Sequence, residues 1–207
     1  MLLYIASVVY SHMGVVALST VVILAGGKSR RMGCDKLALP LNGGTLLESA
    51  VRRFGTAFED VYISVADAAK YPEVDAQRVI DVFPGSGPLA GLHAALSSLP
   101  VDGVFLVAAD LPFSSPEAAL FIMGLCGDCE ACVLRLPDGR LEPLFGFYRR
   151  SLLGRCEAAL QAGDFKMTAL LAEASTRFVE PGEIGELWDA RMIMNLNYPE
   201  DYERIAR

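Results

Sequence analysis

The densest chemistry in the chain lies in Leu24-Ala25-Gly26-Gly27-Lys28-Ser29-Arg30-Arg31-Met32-Gly33-Cys34-Asp35-Lys36, directly after the β-branched stretch Ser19 to Ile23. A strand that breaks into a glycine turn carrying four cations is suited to wrapping polyphosphate. Glycine lets backbone N–H groups approach phosphate oxygens, and Lys and Arg supply the matching charge. The second feature is Asp110, which closes the apolar run Gly103-Val104-Phe105-Leu106-Val107-Ala108-Ala109. A carboxylate at the mouth of a strand is a hard oxygen ligand, and Mg²⁺ is commonly held by one or two carboxylates together with substrate phosphates and water. Taken alone, Asp110 also fits the cap of a helix beginning near Ser114 or a plain strand end. Beside Lys36 and Arg31 it fits nucleotidyl transfer, in which in-line attack builds charge on the oxygens around the α-phosphorus.

Two better-known phosphate motifs are excluded. Gly27-Lys28-Ser29 imitates the end of a P-loop, but that pattern needs Gly at position 22, where Val22 lies inside the predicted strand. The dinucleotide fingerprint GxGxxG fails as well, because the loop reads Gly-Gly-Lys-Ser-Arg-Arg. Cys126, Cys129, Cys132 and Cys156 could supply four thiolates to a metal, although no second CxxC pair or His cluster accompanies them; the plainer reading is free thiols around a helix end and a strand start.

The elements that must position these residues follow from the hydrophobic pattern. Apolar runs of strand length alternate with amphipathic segments, the pattern of an open parallel sheet covered by helices on both faces. Strands are predicted at 17–24, 60–66, 77–81, 103–109, 130–136 and 143–148. Helices are predicted at 45–57, 68–71, 88–98, 115–124, 150–161, 166–173, 183–187 and 198–206. Thr45 with Glu48 reads as a capping box, and Pro88 and Pro116 suit a first helical turn. In such sheets ligands bind beyond the carboxyl ends of the strands, where strand order reverses. Ser64, Asp67, Asp81 and Asp110 fall at those ends, as does the glycine loop.

The 207 residues, 53% of them hydrophobic, suffice for a sizeable core, and one domain over 16–207 is the default. A net charge of −7 argues against a nucleic-acid binder, because the basic residues concentrate at 28–36 instead of covering a face. Five cysteines, without a convincing secretory signal, fit a reduced, cytoplasmic protein. Residues 1–27 carry no Asp, Glu, Lys or Arg, yet Ser7, Ser11, His12, Gly14, Ser19 and Thr20 interrupt what a membrane span would keep apolar. Residues 1–15 therefore read as an N-terminal extension, and Met13 would give a short lead into the first strand.

The glycine-loop pattern is followed in order by Gly87-Pro88-Leu89-Ala90-Gly91, Ala109-Asp110-Leu111-Pro112-Phe113, Glu142-Pro143-Leu144-Phe145 and Asn195-Leu196-Asn197-Tyr198-Pro199-Glu200-Asp201. Together these blocks resemble the molybdenum cofactor guanylyltransferases from about residue 19 to the C-terminus. The resemblance implies a three-layer α/β/α, Rossmann-like nucleotidyltransferase fold with a mostly parallel sheet. It also implies transfer of GMP from GTP to the terminal phosphate of molybdenum-bound molybdopterin, with release of pyrophosphate. Carried over, Leu24, Ala25, Gly26 and Gly27 would hold the nucleotide, and Arg31 and Lys36 would neutralise the triphosphate and the leaving pyrophosphate. Asp110 would bind Mg²⁺ and nucleotide. Ser64 stands where the family often has an Asn that contacts GTP, and Asp81 where it has an Asp at the base and ribose end. Gly87 to Gly91 would bring a helix N-terminus to the ligand, and Asn195 and Asn197 would lie near the reacting phosphates or the pterin. The attacking phosphate oxygen is already ionised at neutral pH, so no general base is required and His12 and His93 are free to be structural.

The same resemblance names GTP, molybdenum-molybdopterin and molybdoenzyme maturation proteins as partners, with no nucleic acid and no membrane. The competing readings are a cytidylyltransferase of the same cofactor, a transferase acting on a sugar phosphate or cobinamide phosphate, and a nucleotide-binding accessory domain without turnover. Gly26-Gly27 and the Pro143-Leu144-Phe145 block lean towards guanine. Arg149, Arg150 and the Asp164-to-Thr168 segment offer charges for a second phosphorylated ligand, or equally for solvated helix ends.

Overall fold

A computed structural model describes residues 19–26 and 35–205 of the protein. Strand β1 (Thr20–Leu24) begins them. Its side chains at Val21, Val22 and Ile23 are fully buried, as expected of a strand covered on both faces. A two-strand hairpin, β2 (Pro40–Leu41) and β3 (Gly44–Thr45), comes next. Its two-residue turn, Asn42-Gly43, has φ of 52° and 75°, the positive values that a twisted hairpin turn demands. Helix α1 (Leu46–Phe54) then starts on the predicted capping box: the Thr45 N–H donates to Glu48 Oε2 at 2.6 Å, and the Glu48 N–H donates to Thr45 Oγ1 at 3.2 Å. It stops at Phe54, short of the expected 57, with Gly55 as its cap.

The chain continues through β4 (Asp60–Val65), β5 (Gln77–Ile80), α2 (Pro88–Ser98), β6 (Gly103–Ala108), α3 (Pro116–Gly124), β7 (Ala131–Arg135) and β8 (Leu141–Arg149). It closes with α4 (Leu153–Ala162), α5 (Met167–Glu173), β9 (Thr176–Val179), α6 (Pro181–Ile184) and α7 (Pro199–Ile205). Pro88 and Pro116 open their helices as predicted.

The main sheet has the order β5-β4-β1-β6-β8-β7-β9. Six of its strands run one way and β8 alone runs against its neighbours β6 and β7. The mostly parallel sheet is thus as expected. From β1 the chain steps outward to β4 and β5, then returns to β6 on the other side of β1, so the order reverses between β1 and β6. One face of the sheet packs α1 and α3 through Ile23, Ile63, Phe105, Val107, Phe145, Phe54 and Ile122. The other packs α2, α4 and α5 through Val22, Val79, Leu106, Tyr148, Leu92 and Leu170. These are the three layers.

Several segments depart from the sequence reading. The short helix expected at 68–71 is a turn, because the Asp67 carboxylate accepts from the Ala69 N–H at 2.9 Å and Tyr71, at φ 53° and followed by Pro72, cannot continue a helix. Strand β9 was not expected, since its four residues gain strand form only by pairing alongside β7. The region expected as one helix at 150–161 opens with a 3-10 turn, Arg150–Leu152, and its α-helix begins at Leu153. Residues 1–18, including the extension at 1–15, lie outside the described residues.

Candidate active site

The crevice between β1 and β6 is framed by main-chain hydrogen bonds. The Ala25 N–H donates to the Ser64 carbonyl at 2.9 Å and the Ala109 N–H donates to the Leu24 carbonyl at 3.2 Å, so the loop after β1 leaves the sheet tethered on both sides. Of that loop, Leu24, Ala25 and Gly26 are described; Gly27, Lys28 and Arg31 lie outside the described residues. The chain re-enters at Asp35, which caps a 3-10 turn, Lys36–Ala38. Asp35 Oδ1 accepts from the Leu37 N–H at 3.1 Å, and Oδ2 accepts from the Tyr71 hydroxyl at 2.8 Å. Tyr71 is buried, and burial first, then the bonded Asp35, pushes its hydroxyl pKa above the ordinary range. The turn is therefore pinned at its first residue, and Lys36 leaves it from a fixed base.

Lys36 reaches Asp110. Its ammonium donates to Asp110 Oδ2 and also to the Leu196 carbonyl at 3.1 Å, while the Leu196 N–H donates to the Asp110 carbonyl at 3.1 Å. Both side chains are mostly withdrawn from solvent, at 16% and 18% exposure. Glu142, on β8, is half-buried beside them. Burial raises its carboxyl above the ordinary glutamate range, and the negative Asp110 adds to that effect. A bulge sets this arrangement: Val133 faces Gly146 and Leu134 faces Glu142, so β8 accommodates Pro143, Leu144 and Phe145 as extra residues. The buried Tyr148 hydroxyl donates to the Pro143 carbonyl at 2.7 Å and holds the bulge down.

On the other flank, Asp81 follows β5. Its N–H donates to the Val65 carbonyl at 3.0 Å and its Oδ1 accepts from the Ser64 hydroxyl at 2.9 Å. Burial raises the Asp81 carboxyl above its usual range, with the Ser64 hydrogen bond pulling it partly back. Gly87 caps α2 at φ 70°, a left-handed value suited to glycine. One turn on, Gly91 packs directly against the ends of β1 and β4. A Cβ there would stand 2.5 Å from Leu24 Cδ2 and 2.6 Å from Ser64 Oγ.

The structure thus gathers Lys36, Asp110 and the main chain of residue 196 on one side of the crevice, and Gly26, Ser64 and Asp81 on the other. Asn195 and Asn197 flank Leu196, and the Asn197 N–H donates to Asp201 Oδ2 at 3.1 Å. His93 is buried, edge-on to Phe83 at 5.1 Å, and Nδ1 has no hydrogen-bond partner among the described residues.

Other charges singled out in the sequence are engaged elsewhere. Arg149 donates through Nε to the Cys129 carbonyl at 2.8 Å, and Arg150 donates to the Leu99 carbonyl at 2.5 Å, so both guanidinium groups tie loops together. The cysteines do not converge. Cys132 packs on the α1/α3 face of the sheet and Cys156 on the opposite face, and among the described residues no group of three or more His, Cys, Asp or Glu is placed to hold a metal. Burial pushes the Cys156 thiol up to about 12. Two contributors to the site were not legible as such: Glu142, whose only signal was its place in the Glu142-Pro143-Leu144-Phe145 block, and the Leu196 carbonyl, which as main chain leaves no sequence signal.

A model of the MobA-like NTP transferase domain matches residues 21–178. The chain belongs to the MobA-like NTP transferase family. Its fold and this family make it a nucleotidyltransferase. Among family relatives, a probable molybdenum cofactor guanylyltransferase of a Geobacillus species is 31% identical over 192 residues, covering 89% of this chain and 96% of the relative. The crystal structure of molybdopterin-guanine dinucleotide biosynthesis protein A from Archaeoglobus fulgidus superposes with a TM-score of 0.78 at 25% identity, covering 90% of this chain and 96% of that one. A Mycobacterium tuberculosis protein whose structure is a complex with manganese shares the fold, with a TM-score of 0.60 at 19% identity and coverage of 92% and 98%. Among the described residues no helix of this MobA-like transferase is long and apolar enough to cross a membrane.

Proposed function

We propose that the protein transfers GMP from GTP to the terminal phosphate of molybdenum-bound molybdopterin, releasing pyrophosphate and leaving a guanine dinucleotide form of the cofactor. Residues 16–207 act as the nucleotidyltransferase domain, working in the cytoplasm. The observation that carries the reading is the meeting of Lys36 and Asp110 at the point where strand order reverses. The names of the relatives support guanine as the base.

The residues present fit a divalent ion. The Lys36 ammonium, a cation, sits against a carboxylate oxygen of Asp110 and the carbonyl oxygen of Leu196, so hard oxygen donors already converge on positive charge there. Asp110 would hold Mg²⁺, with substrate phosphates and water completing its shell. When bound, the ion supplies neutralisation of charge on the phosphoryl oxygens.

The chain's own residues do the rest. Leu24, Ala25, Gly26 and Gly27 bring main chain to the nucleotide, and the first turn of α2 from Gly87 adds amide groups at its N-terminus. Lys36 and Arg31 meet the charge that grows on the departing pyrophosphate. Asp81 receives the nucleoside end, held by Ser64. Asn195 and Asn197 flank the main chain that contacts Lys36 and Asp110, which supports a role for them by the phosphates or the pterin. No side chain is needed as base, because the attacking phosphate oxygen carries its charge beforehand.

Pyrophosphate release measured with GTP, Mg²⁺ and molybdenum-molybdopterin tests the reading, with CTP and sugar phosphates as alternative substrates. Release specific to GTP and the pterin is expected. Lys36→Ala and Asp110→Ala should each lower turnover by at least about 10² while the thermal unfolding transition is kept. Near-normal rates in both variants, or a preference for CTP, would overturn the assignment.

A further inference from the structure

Ser64 has little room for anything but one bond. It lies one residue inside the end of β4 and is 1% exposed. The first turn of α2 closes over it, since a Cβ on Gly91 would stand 2.6 Å from its Oγ and 3.5 Å from its Cβ. Its hydroxyl donates to Asp81 Oδ1 at 2.9 Å. The main chain of residue 81 is fixed by the same strand pair, through the Asp81 N–H and the Val65 carbonyl at 3.0 Å. With backbone and one carboxylate oxygen both held, the plane of the carboxylate is set. The other oxygen, Oδ2, is turned to the loop after β1, where a Cβ on the exposed Gly26 would stand 3.8 Å from it.

We propose that Ser64 is a positioning residue for nucleoside recognition, fixing Asp81 so that Oδ2 accepts a hydrogen bond from an N–H or O–H donor on the nucleoside half of the bound nucleotide. This rests on the reading of the crevice as a GTP site. Guanine offers such donors at its N1–H and its exocyclic amine, and ribose offers hydroxyl groups. An acceptor already held in its bound orientation loses no rotational freedom on binding, so its contact contributes more than that of a free side chain. The Ser64 hydroxyl never touches the ligand. Its effect is read only through Asp81.

Calorimetric titration of wild type, Ser64→Ala, Asp81→Asn and the double variant with GTP and with inorganic tripolyphosphate tests this. Ser64→Ala should weaken GTP binding about tenfold, the scale of one hydrogen bond to a charged group. Tripolyphosphate binding should be unchanged, because the phosphate end is untouched. The double variant should bind GTP no more weakly than Asp81→Asn, since the two side chains act as one. In turnover, KM for GTP should move more than kcat. Repeating the comparison with ITP, which lacks the exocyclic amine, and with 2′-deoxy-GTP identifies the donor as the analogue on which Ser64→Ala has no effect. Undiminished GTP binding by Ser64→Ala, equal loss of GTP and tripolyphosphate, or additive losses in the double variant would overturn the inference. If Ser64→Ala fails to fold, Ser64→Cys keeps the volume with a much weaker donor and the same expectations apply. A wild-type protein that takes up tripolyphosphate but not GTP would instead remove the GTP reading itself.

Discussion

At the scale of single residues, Asp81 shows what a half-buried carboxylate costs the folded protein. Burial raises its pKa, and the Ser64 hydroxyl offsets only part of that. A carboxyl whose folded pKa lies above its unfolded value binds its proton more readily in the folded state, so folding loses stability as pH rises through the interval between the two values. Above that interval the loss is complete; below it there is none. Asp81→Asn keeps an acceptor for Ser64 and carries no charge. Its Tm without ligand should exceed that of the wild type at pH 7, and the difference should vanish near pH 3, which thermal melts at the two pH values measure. A wild type at least as stable at pH 7 would show that the site does not burden the fold. The residue types that do such work were legible where they are side chains. Asp110, Ser64 and Asp81 stand out at predicted strand ends and Lys36 at the end of the glycine-loop run, and the structure brings each to the crevice. The Leu196 carbonyl was not legible because any residue supplies one, and the pairing of Ser64 with Asp81 was hidden because it depends on how β4 and β5 align.

At the scale of elements, α2 packs closely on the ends of β1 and β4. The helix can approach β1 and β4 because residue 91 lacks a side chain, its missing Cβ leaving space for Leu24 Cδ2 and Ser64 Oγ. Two effects oppose each other in Gly91→Ala. Alanine favours a helix over glycine by up to about 1 kcal/mol. Forcing a methyl group into a filled interior costs about 1–3 kcal/mol. With the Ser64 contact far inside van der Waals distance, on a buried side chain held by Asp81, overpacking outweighs propensity. Gly91→Ala should lower the urea midpoint without changing the slope of the transition; an unchanged or raised midpoint would mean that the helix shifts freely. The same helix was the most legible element, predicted at 88–98 and found there, because Pro88 and the apolar run mark it locally. Strand β9 and the turn after Asp67 show the opposite case. The first owes its form to the neighbouring β7, and the second to a left-handed Tyr71 that no periodicity announces.

At the scale of the whole molecule, Lys36 joins three distant parts of the chain: the segment after the glycine loop, the end of β6 at Asp110 and the C-terminal stretch at Leu196. Its ammonium lies against the Asp110 oxygen that would receive a divalent ion. A metal arriving alone must displace that ammonium and leave it without Asp110. On the proposed reading a triphosphate would offer Lys36 another anionic partner and so free the carboxylate. Each ligand therefore lowers the cost of binding the other, and the coupling must be equal in both directions. Thermal unfolding measures it, because a ligand at about a hundred times its Kd stabilises the folded state by about 2.7 kcal/mol. In the wild type, Mn²⁺ alone should raise Tm little, GTP with a chelator somewhat more, and the two together by more than the sum of the separate shifts. Lys36→Met removes the competing cation, so Mn²⁺ alone should raise its Tm by more than in the wild type, and the excess seen with both ligands should shrink. Additive shifts in the wild type, or a Lys36→Met protein no more responsive to Mn²⁺ than its parent, would mean that the ammonium and the metal do not contend for Asp110.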